Sequence, residues 1–364
     1  MPIDTRIRGR EDVHFAASRP PAGGALRLPA VQASSPTPAL SPSVGSGEDV
    51  QGREPGIPLG LSRVGVSGVE KVVRIRDELY LARLDCFVDL PRNQKGAHMS
   101  RFDEVVNEAI GEVVLSESPF RAETLARHIA ELVRARQSAE RAEVTIAARY
   151  PEHKPAPVSG IQTQEIYTLH GRAVAFERGT RGTVGVSATG MTACPCAQEL
   201  VAARARERLS AQEFTAAQID RILDSVPVAT HNQRGLATLH IGCTEECPVE
   251  IDAATLLEIA ETSMSSEIYE LMKRADEVEV VEKAHRRPRF VEDCVREMLA
   301  GVVRTFTDLD GGSFVSARQE NLETIHQHNV VAERHGLISE LRAEIDSGTP
   351  SARQTSLEEW LAGP

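Results

Sequence analysis

The run Val184-Gly-Val-Ser-Ala-Thr-Gly-Met-Thr-Ala-Cys194-Pro195-Cys196-Ala-Gln198-Glu199 decides how this chain is read. Its Val, Thr and Gly content predicts a strand approaching a tight turn, and Pro195 halts the ladder where two thiols come one residue apart. Side chains two positions apart on extended backbone share a face, so Cys194 and Cys196 are expected to reach a single metal ion. Packing as small buried hydrophobes and closure into a strained, redox-labile disulfide are the alternatives for the same pair.

The 364 residues around that run are enough for two domains or one duplicated one, and a hydrophobic content of 41% supports a substantial core. Aromatic residues make up only 4%, with Trp360 the single tryptophan, which argues against a stacking platform for single-stranded nucleic acid. A net charge of -12 argues against nucleic-acid and membrane-surface partners. The sequence has no apolar run of the roughly 20 residues a membrane helix needs. It opens Met1-Pro2-Ile3-Asp4 without the apolar stretch of a secretory signal. Six cysteines therefore read as thiols and ligands of a cytoplasmic protein, not as a disulfide framework.

Outward from the cysteine run, residues 1–57 are rich in Pro, Gly and Ser, and are expected to form a disordered arm. Order is expected from about Leu61, with a hairpin over 64–76 and 80–90 turning at Asp77-Glu78. Ser100 is a candidate N-cap for a helix over 101–115, and a second helix is expected over 119–137, where Leu125, Ile129, Leu132 and Val133 recur at helical spacing. Strands are expected over 142–150 and 161–177, with Pro151, Pro155 and Pro157 in their connection. The second half repeats the order: a strand over 183–192, a helical insertion over 198–224, a strand from Gly235, helices over 252–273 and 289–305, a strand over 313–317, and a helix or turn over 320–328. The expected fold is thus α+β, with strand-strand-helix-helix-strand-strand occurring twice. The domain limits are 58–178 and 179–338, followed by a loose tail over 339–364 with one amphipathic turn at Leu357 to Leu361.

Further polar clusters exceed what a core needs. Thr230-His231-Asn232-Gln233-Arg234 opens a strand; Lys273-Arg274-Ala-Asp276-Glu277 precedes Phe290-Val-Glu292-Asp293; Glu320-Asn-Leu-Glu323-Thr-Ile-His326-Gln-His328 places Glu323 and His326 at helical spacing. A thiol, an imidazole and carboxylates suit a borderline-soft divalent ion, and an open coordination position would turn a bound water into a hydrolytic nucleophile near neutral pH. Read alone, each cluster is more readily a polar turn or a solvated face. Cys243 and Cys247, spaced poorly for zinc, read as packing thiols, as do Cys86 and Cys294 on apolar faces.

Taken in order, these motifs, with Gly-Ala-His98-Met-Ser-Arg101-Phe before them, resemble the motif set of the type IB GTP cyclohydrolases, the bacterial folate-pathway and archaeal methanopterin-pathway enzymes; the likeness covers about 61–335. The resemblance implies a bimodular tunnelling fold and a homotetramer with sites at subunit interfaces. It implies a divalent metal, Fe(II), Zn or Mn, held by Cys194 and His231 with Cys196, Glu277, Glu323 and His326 in or near the shell. Cys194, His231 and His326 would be catalytic. Glu292 would anchor the guanine edge, where one carboxylate can accept two N–H donors, and Lys95, His98 and Arg101 would face the triphosphate, where cationic donors are needed.

The implied reaction is metal-assisted hydrolysis of GTP at C8, with loss of formate and closure of a pterin ring to 7,8-dihydroneopterin triphosphate, the first step of folate-type pterin synthesis. From Cys194 to His231 is 37 positions, longer than in the bacterial enzymes and closer to the archaeal branch, which keeps the 2',3'-cyclic phosphate open as the product. A silent purine- or pterin-binding protein of the same fold and a structural zinc domain are the competing classes.

Overall fold

The chain order is β1 (Leu61–Ile75), β2 (Glu78–Leu90), α1 (Met99–Ser116), α2 (Ala122–Gln137), β3 (Arg141–Pro155), β4 (Gln162–Phe176), β5 (Gly179–Ala193), α3 (Pro195–Ser210), α4 (Ala216–Ser225), β6 (Asn232–Cys243), α5 (Ala253–Thr262), β7 (Ser266–Glu267), α6 (Arg274–Arg286), α7 (Val291–Thr305), β8 (Phe314–Leu322), β9 (Val330–Leu337), α8 (Ile338–Ser347) and α9 (Leu357–Ala362). The computed structural model describes residues 49–75, 78–116, 121–243 and 251–363. The expected turn at Asp77, most of the N-terminal arm and Cys247 lie outside them.

Period-two alternation explains the sheet. Ala142, Val144, Ile146 and Ala148 of β3 are buried together with Leu84, Cys86 and Val88 of β2, and α2 packs over that face. The strands pair antiparallel in the order β1-β2-β3-β4-β5-β6-β8-β9, with the short β7 added to β5. The main hydrophobic core runs beneath the helices from Val73 to Leu341, and a smaller cluster joins Val174, Phe314, Trp360 and Leu361. Gly171 shows how closely α2 approaches: a Cβ there would stand 2.2 Å from the carbonyl oxygen of Ala122, so only glycine fits. Asp49–Pro364 forms one compact unit, its sheet continuous from β4 into β5. Among the described residues no helix is long and apolar enough to cross a membrane.

Several expectations are corrected. Residues 49–60, expected before the start of order near Leu61, are held in place: the Asp49 carboxylate bonds the backbone N–H of Gln51 and Gly52 and Nε2 of His98, while the Lys95 amide donates to the carbonyls of Gln51 and Arg53. Ser100 is not an N-cap: helix α1 starts at Met99, and its entry is fixed from across the fold by Gln137, whose side chain bonds both N and O of His98. Pro151 and Pro155 belong to β3, not to the connection; beyond Arg149 that strand pairs only with β4, so the missing N–H of a proline faces an unpaired edge.

The insertion is two helices, broken where Glu213 takes φ 65 and Thr215 forms a capping box with Gln218. The helix expected over 252–273 stops at Thr262; Met264 then drops into the space left by Gly190, where a Cβ would come 2.5 Å from its Cε, and Ser266–Glu267 pairs with β5. Residues 320–322 continue β8, and 323–329 form the turn into β9, so Glu323 and His326 share a loop and no helical face. The tail is docked. Trp360 is 4% exposed, lies tilted against Phe314 with ring centroids 5.7 Å apart, and donates from Nε1 to the carbonyl oxygen of Gly312 at 2.9 Å.

Candidate functional site

The strand register sorts the chemistry to the two ends of the sheet. Ala193 of β5 pairs with Asn232 of β6, and Arg234 pairs with Leu322 of β8, so Cys194, His231 and Glu323 each stand one residue beyond a strand at the same end. Arg289 donates its backbone N–H to the carbonyl of Ala193 at 3.0 Å, which brings the start of α7 and Glu292 to that end too.

Cys194 is the N-cap of α3, with Pro195 at the first helical position, where proline's fixed φ suits the helix. Its Sγ accepts from the Ala197 N–H at 3.5 Å. The two thiols are therefore not on one extended face, as the spacing had suggested: Cys194 is half-buried and Cys196, one residue into the helix, is exposed. The backbone around Cys194 is tied to the next strand, since its N–H donates to the carbonyl of His231 at 3.1 Å and its carbonyl accepts from Thr230 Oγ1 at 2.8 Å. Gln198 Nε2 reaches the carbonyls of Val228 and His285, which holds the first turn of α3 against the loop before His231.

His231 and Glu323 are 14% and 6% exposed and approach to 3.6 Å, Nδ1 to Oε2. Glu323 Oε2 is buried with no hydrogen-bond partner among the described residues. The same Nδ1 lies 3.0 Å from Gln233 Oε1. His326 stands edge-on to His231 with ring centroids 6.4 Å apart, and His328 stacks on His326 at 5.3 Å. A buried, partnerless carboxylate oxygen beside an imidazole with one nitrogen engaged and the other free is the donor chemistry a divalent cation takes. The residues present fit such an ion.

Other expected residues stand apart. Glu277 is exposed in the first turn of α6; its neighbour Asp276 is the buried one, accepting from the N–H groups of Val158, Ser159 and Lys273 and from Ser159 Oγ. Burial by itself would raise the Asp276 carboxyl, but those bonds outweigh it and hold it far below the usual carboxylate range. Among the described residues no three His, Cys, Asp or Glu side chains converge closely enough to hold a metal ion within one chain. Glu292 is exposed at the rim of a groove of about 490 Å³ lined also by Val295, Leu299, Ala332 and Leu341.

Lys95, His98 and Arg101 follow Leu90, at the end of the sheet where Phe176 meets Gly179 and Gly242 meets Phe314. The length of β5, 15 residues or roughly 45 Å at about 3.3 Å each, separates that end from Cys194. His98 there bonds the Asp49 carboxylate at 3.0 Å, and Arg101 donates to the carbonyl of Arg136.

Gln233, Thr192 and Asp276 escaped the sequence reading as site or support residues. The signal for Gln233 was its parity: it alternates with Gly235, Ala237 and Leu239, all buried, so a polar side chain sits at a core position.

Residues 48–332 match the family model GCHY-1, described as type I GTP cyclohydrolase folE2. GTP cyclohydrolase MptA of Haloarcula marismortui is 43% identical over 303 residues, covering 82% of this chain and 97% of the relative. GTP cyclohydrolase MptA of Methanococcus maripaludis is 41% identical over 312 residues, covering 83% and 98%. The uricase of Arthrobacter globiformis aligns with a TM-score of 0.46 at 9% identity, over 76% of this chain and 93% of its own, a likeness too slight to bear on fold or chemistry.

Proposed function

The chain belongs to the type I GTP cyclohydrolase family, and from that premise we propose that it is a metal-dependent enzyme of type IB which hydrolyses GTP at C8, releases formate and closes a 7,8-dihydroneopterin phosphate. The observation that carries the metal-dependent reading is the buried, partnerless Oε2 of Glu323 beside His231, which stands one residue before the strand that pairs with the one leading to Cys194.

Cys194, His231 and Glu323 gather at one end of the sheet without converging in the single chain; they would close around the ion as it binds, with His326 adjacent and with Cys196 and Glu277 drawn in only where the assembled site covers them. When bound, a divalent ion, Fe(II), Zn or Mn, supplies Lewis-acid activation of a water. His326, edge-on to His231, would carry protons between the opening imidazole ring and solvent. Glu292 accepts the N1–H and N2–H of guanine and fixes which face of the base is presented.

Lys95, His98 and Arg101 serve as triphosphate donors from a second chain, because within one chain they stand at the opposite end of the sheet. This is the reason to propose a homotetramer with sites between subunits. His98 would exchange its Asp49 bond for a phosphate oxygen.

One feature, the α3–α4 insertion between Cys194 and His231, keeps the 2',3'-cyclic phosphate beside the triphosphate as a product. The test is anaerobic incubation of the metal-loaded protein with GTP, following formate and identifying the pterin by mass. Formate with a pterin supports the reaction, and the mass separates cyclic phosphate from triphosphate. A folded, metal-loaded protein that binds GTP and releases no formate overturns it in favour of a binding module.

A further inference from the structure

Resting on the metal-dependent reading above, we infer that Gln233 is the positioning residue that fixes the tautomer of His231, with Thr192 fixing Gln233 in turn. Gln233 is 5% exposed and Thr192 is fully buried, and the two stand directly opposite each other across β5 and β6. A primary amide at a core position is costly unless both of its ends are engaged. Here they are: Nε2 donates to Thr192 Oγ1 at 3.1 Å, and Oε1 faces His231 Nδ1 at 3.0 Å.

A threonine hydroxyl can donate or accept, so Thr192 alone leaves the amide free to turn over. Glu323 decides it. Its Oε2 lies 3.6 Å from the same Nδ1, and a bare Nδ1 lone pair would face that oxygen with no proton between them. With the proton on Nδ1, both Gln233 Oε1 and Glu323 Oε2 face a positive N–H, and the amide must present oxygen to His231 and nitrogen to Thr192. The imidazole then carries its free lone pair on Nε2, the form in which it can ligate a cation. Thr192 and Gln233 thus form one relay from the strand interior to the ligand, and Gln233 keeps the proton on Nδ1 when Glu323 turns from that N–H to an ion.

The direct test reads the ring itself. In metal-free protein with ¹⁵N-labelled histidine, with His231→Asn used for assignment, the His231 resonances should show a protonated Nδ1 and a bare Nε2. The opposite tautomer overturns the inference. The second test is Zn(II) affinity by chelator competition. Gln233→Met, which removes the acceptor at similar volume, should loosen the ion roughly 10- to 100-fold, as loss of an outer-shell partner typically does. Gln233→Glu, which keeps an oxygen against Nδ1, should restore affinity to within a few fold. Equal affinity in Gln233→Met and wild type overturns the inference, and the labelled-ring measurement decides it should that variant fail to fold. Neither readout needs turnover, so an ion-binding protein that forms no formate defeats the proposed reaction while the tautomer and the affinity still decide the role of Gln233.

Discussion

Ser159 and Asp276, 117 positions apart, are joined by two hydrogen bonds: 2.8 Å from the Ser159 N–H to Oδ1 and 2.7 Å from its hydroxyl to Oδ2. With the Val158 and Lys273 amides on the same carboxylate, Asp276 clamps the β3–β4 turn to the start of α6. Asp276→Ala removes the acceptor that four donors share, and the melting temperature should fall by several degrees, with Asp276→Asn recovering only part. Because the native carboxyl sits below its unfolded value, this contribution is present above the ordinary Asp range near pH 4 and fades as pH falls through the native one. Unchanged melting in Asp276→Ala would show that the clamp is dispensable.

A second carboxylate gives the clearer pH dependence. Glu143 is 6% exposed and meets Arg172 at 2.9 Å, Arg141 at 3.0 Å and Arg63 at 3.6 Å. Burial pushes its pKa up, but Arg172 and the other guanidiniums outweigh burial and hold it below the usual value. Its stabilisation is full above the unfolded Glu pKa of about 4.3 and is lost as pH falls from there through the native pKa. Glu143→Gln strands three guanidiniums and should cost about 3 kcal/mol at pH 7 in chemical denaturation. The variant and wild type should converge in acid, and a gap that stays constant from pH 7 to pH 3 would refute the assignment.

The docked tail predicts a cost at its one tryptophan. Trp360 fills the space over Gly242, where a Cβ would stand 2.7 Å from its ring, and the Arg181 guanidinium lies 5.4 Å from its centroid. Trp360→Ala should destabilise by about 3 to 5 kcal/mol. A loss under about 1 kcal/mol would mean that the tail does not hold the sheet.

That tail also shows where sequence reading stops. The hairpin β1–β2, the helix α2 and the strands β3 to β6 follow from alternation and helical spacing within each segment, and they were legible. Trp360 was read as a loose turn because its partners, Phe314 and Gly242, are distant in sequence. Glu323 and His326 fit a helical spacing over a stretch too short to exclude a strand and loop, and pairing with β9 decided for the strand. The motifs grouped Cys194, His231 and Glu323, and the strand register brings all three to one end of the sheet. Their supports, Gln233 with Thr192 and Gln198 with Val228, were not, because a polar side chain at a buried parity reveals its purpose only when its partners are placed.

The ligand set has its own prediction. Cys194→Ala and His231→Ala each should lower kcat by more than the roughly 100-fold that an outer-shell partner costs, with melting close to wild type, since neither side chain belongs to the core clusters. Cys196→Ala and Glu277→Ala, both exposed in the single chain, discriminate further. If they are as damaging as Cys194→Ala, the assembled site recruits them; if they are neutral, Cys194, His231 and Glu323 close on the ion without them. Chelation should abolish turnover in wild type, and full activity in excess chelator would end the metal reading.

The separation of His231 from Arg101 along the sheet makes the last prediction one about assembly. If a single chain carried a whole site, His231→Ala and Arg101→Ala would each be inactive, and mixing them would change nothing, because no chain in the mixture has both groups. If each site instead takes its metal end from one subunit and its phosphate end from another, unfolding and refolding the two variants together creates sites with an intact His231 from one chain and an intact Arg101 from its neighbour. Random assembly in equal amounts gives about a quarter of the sites both groups, so formate release from GTP should return to about a quarter of the wild-type rate per site. No recovery from a mixture shown by mass to contain mixed oligomers would place both ends of the substrate on one chain, and Lys95, His98 and Arg101 would then lose their proposed role.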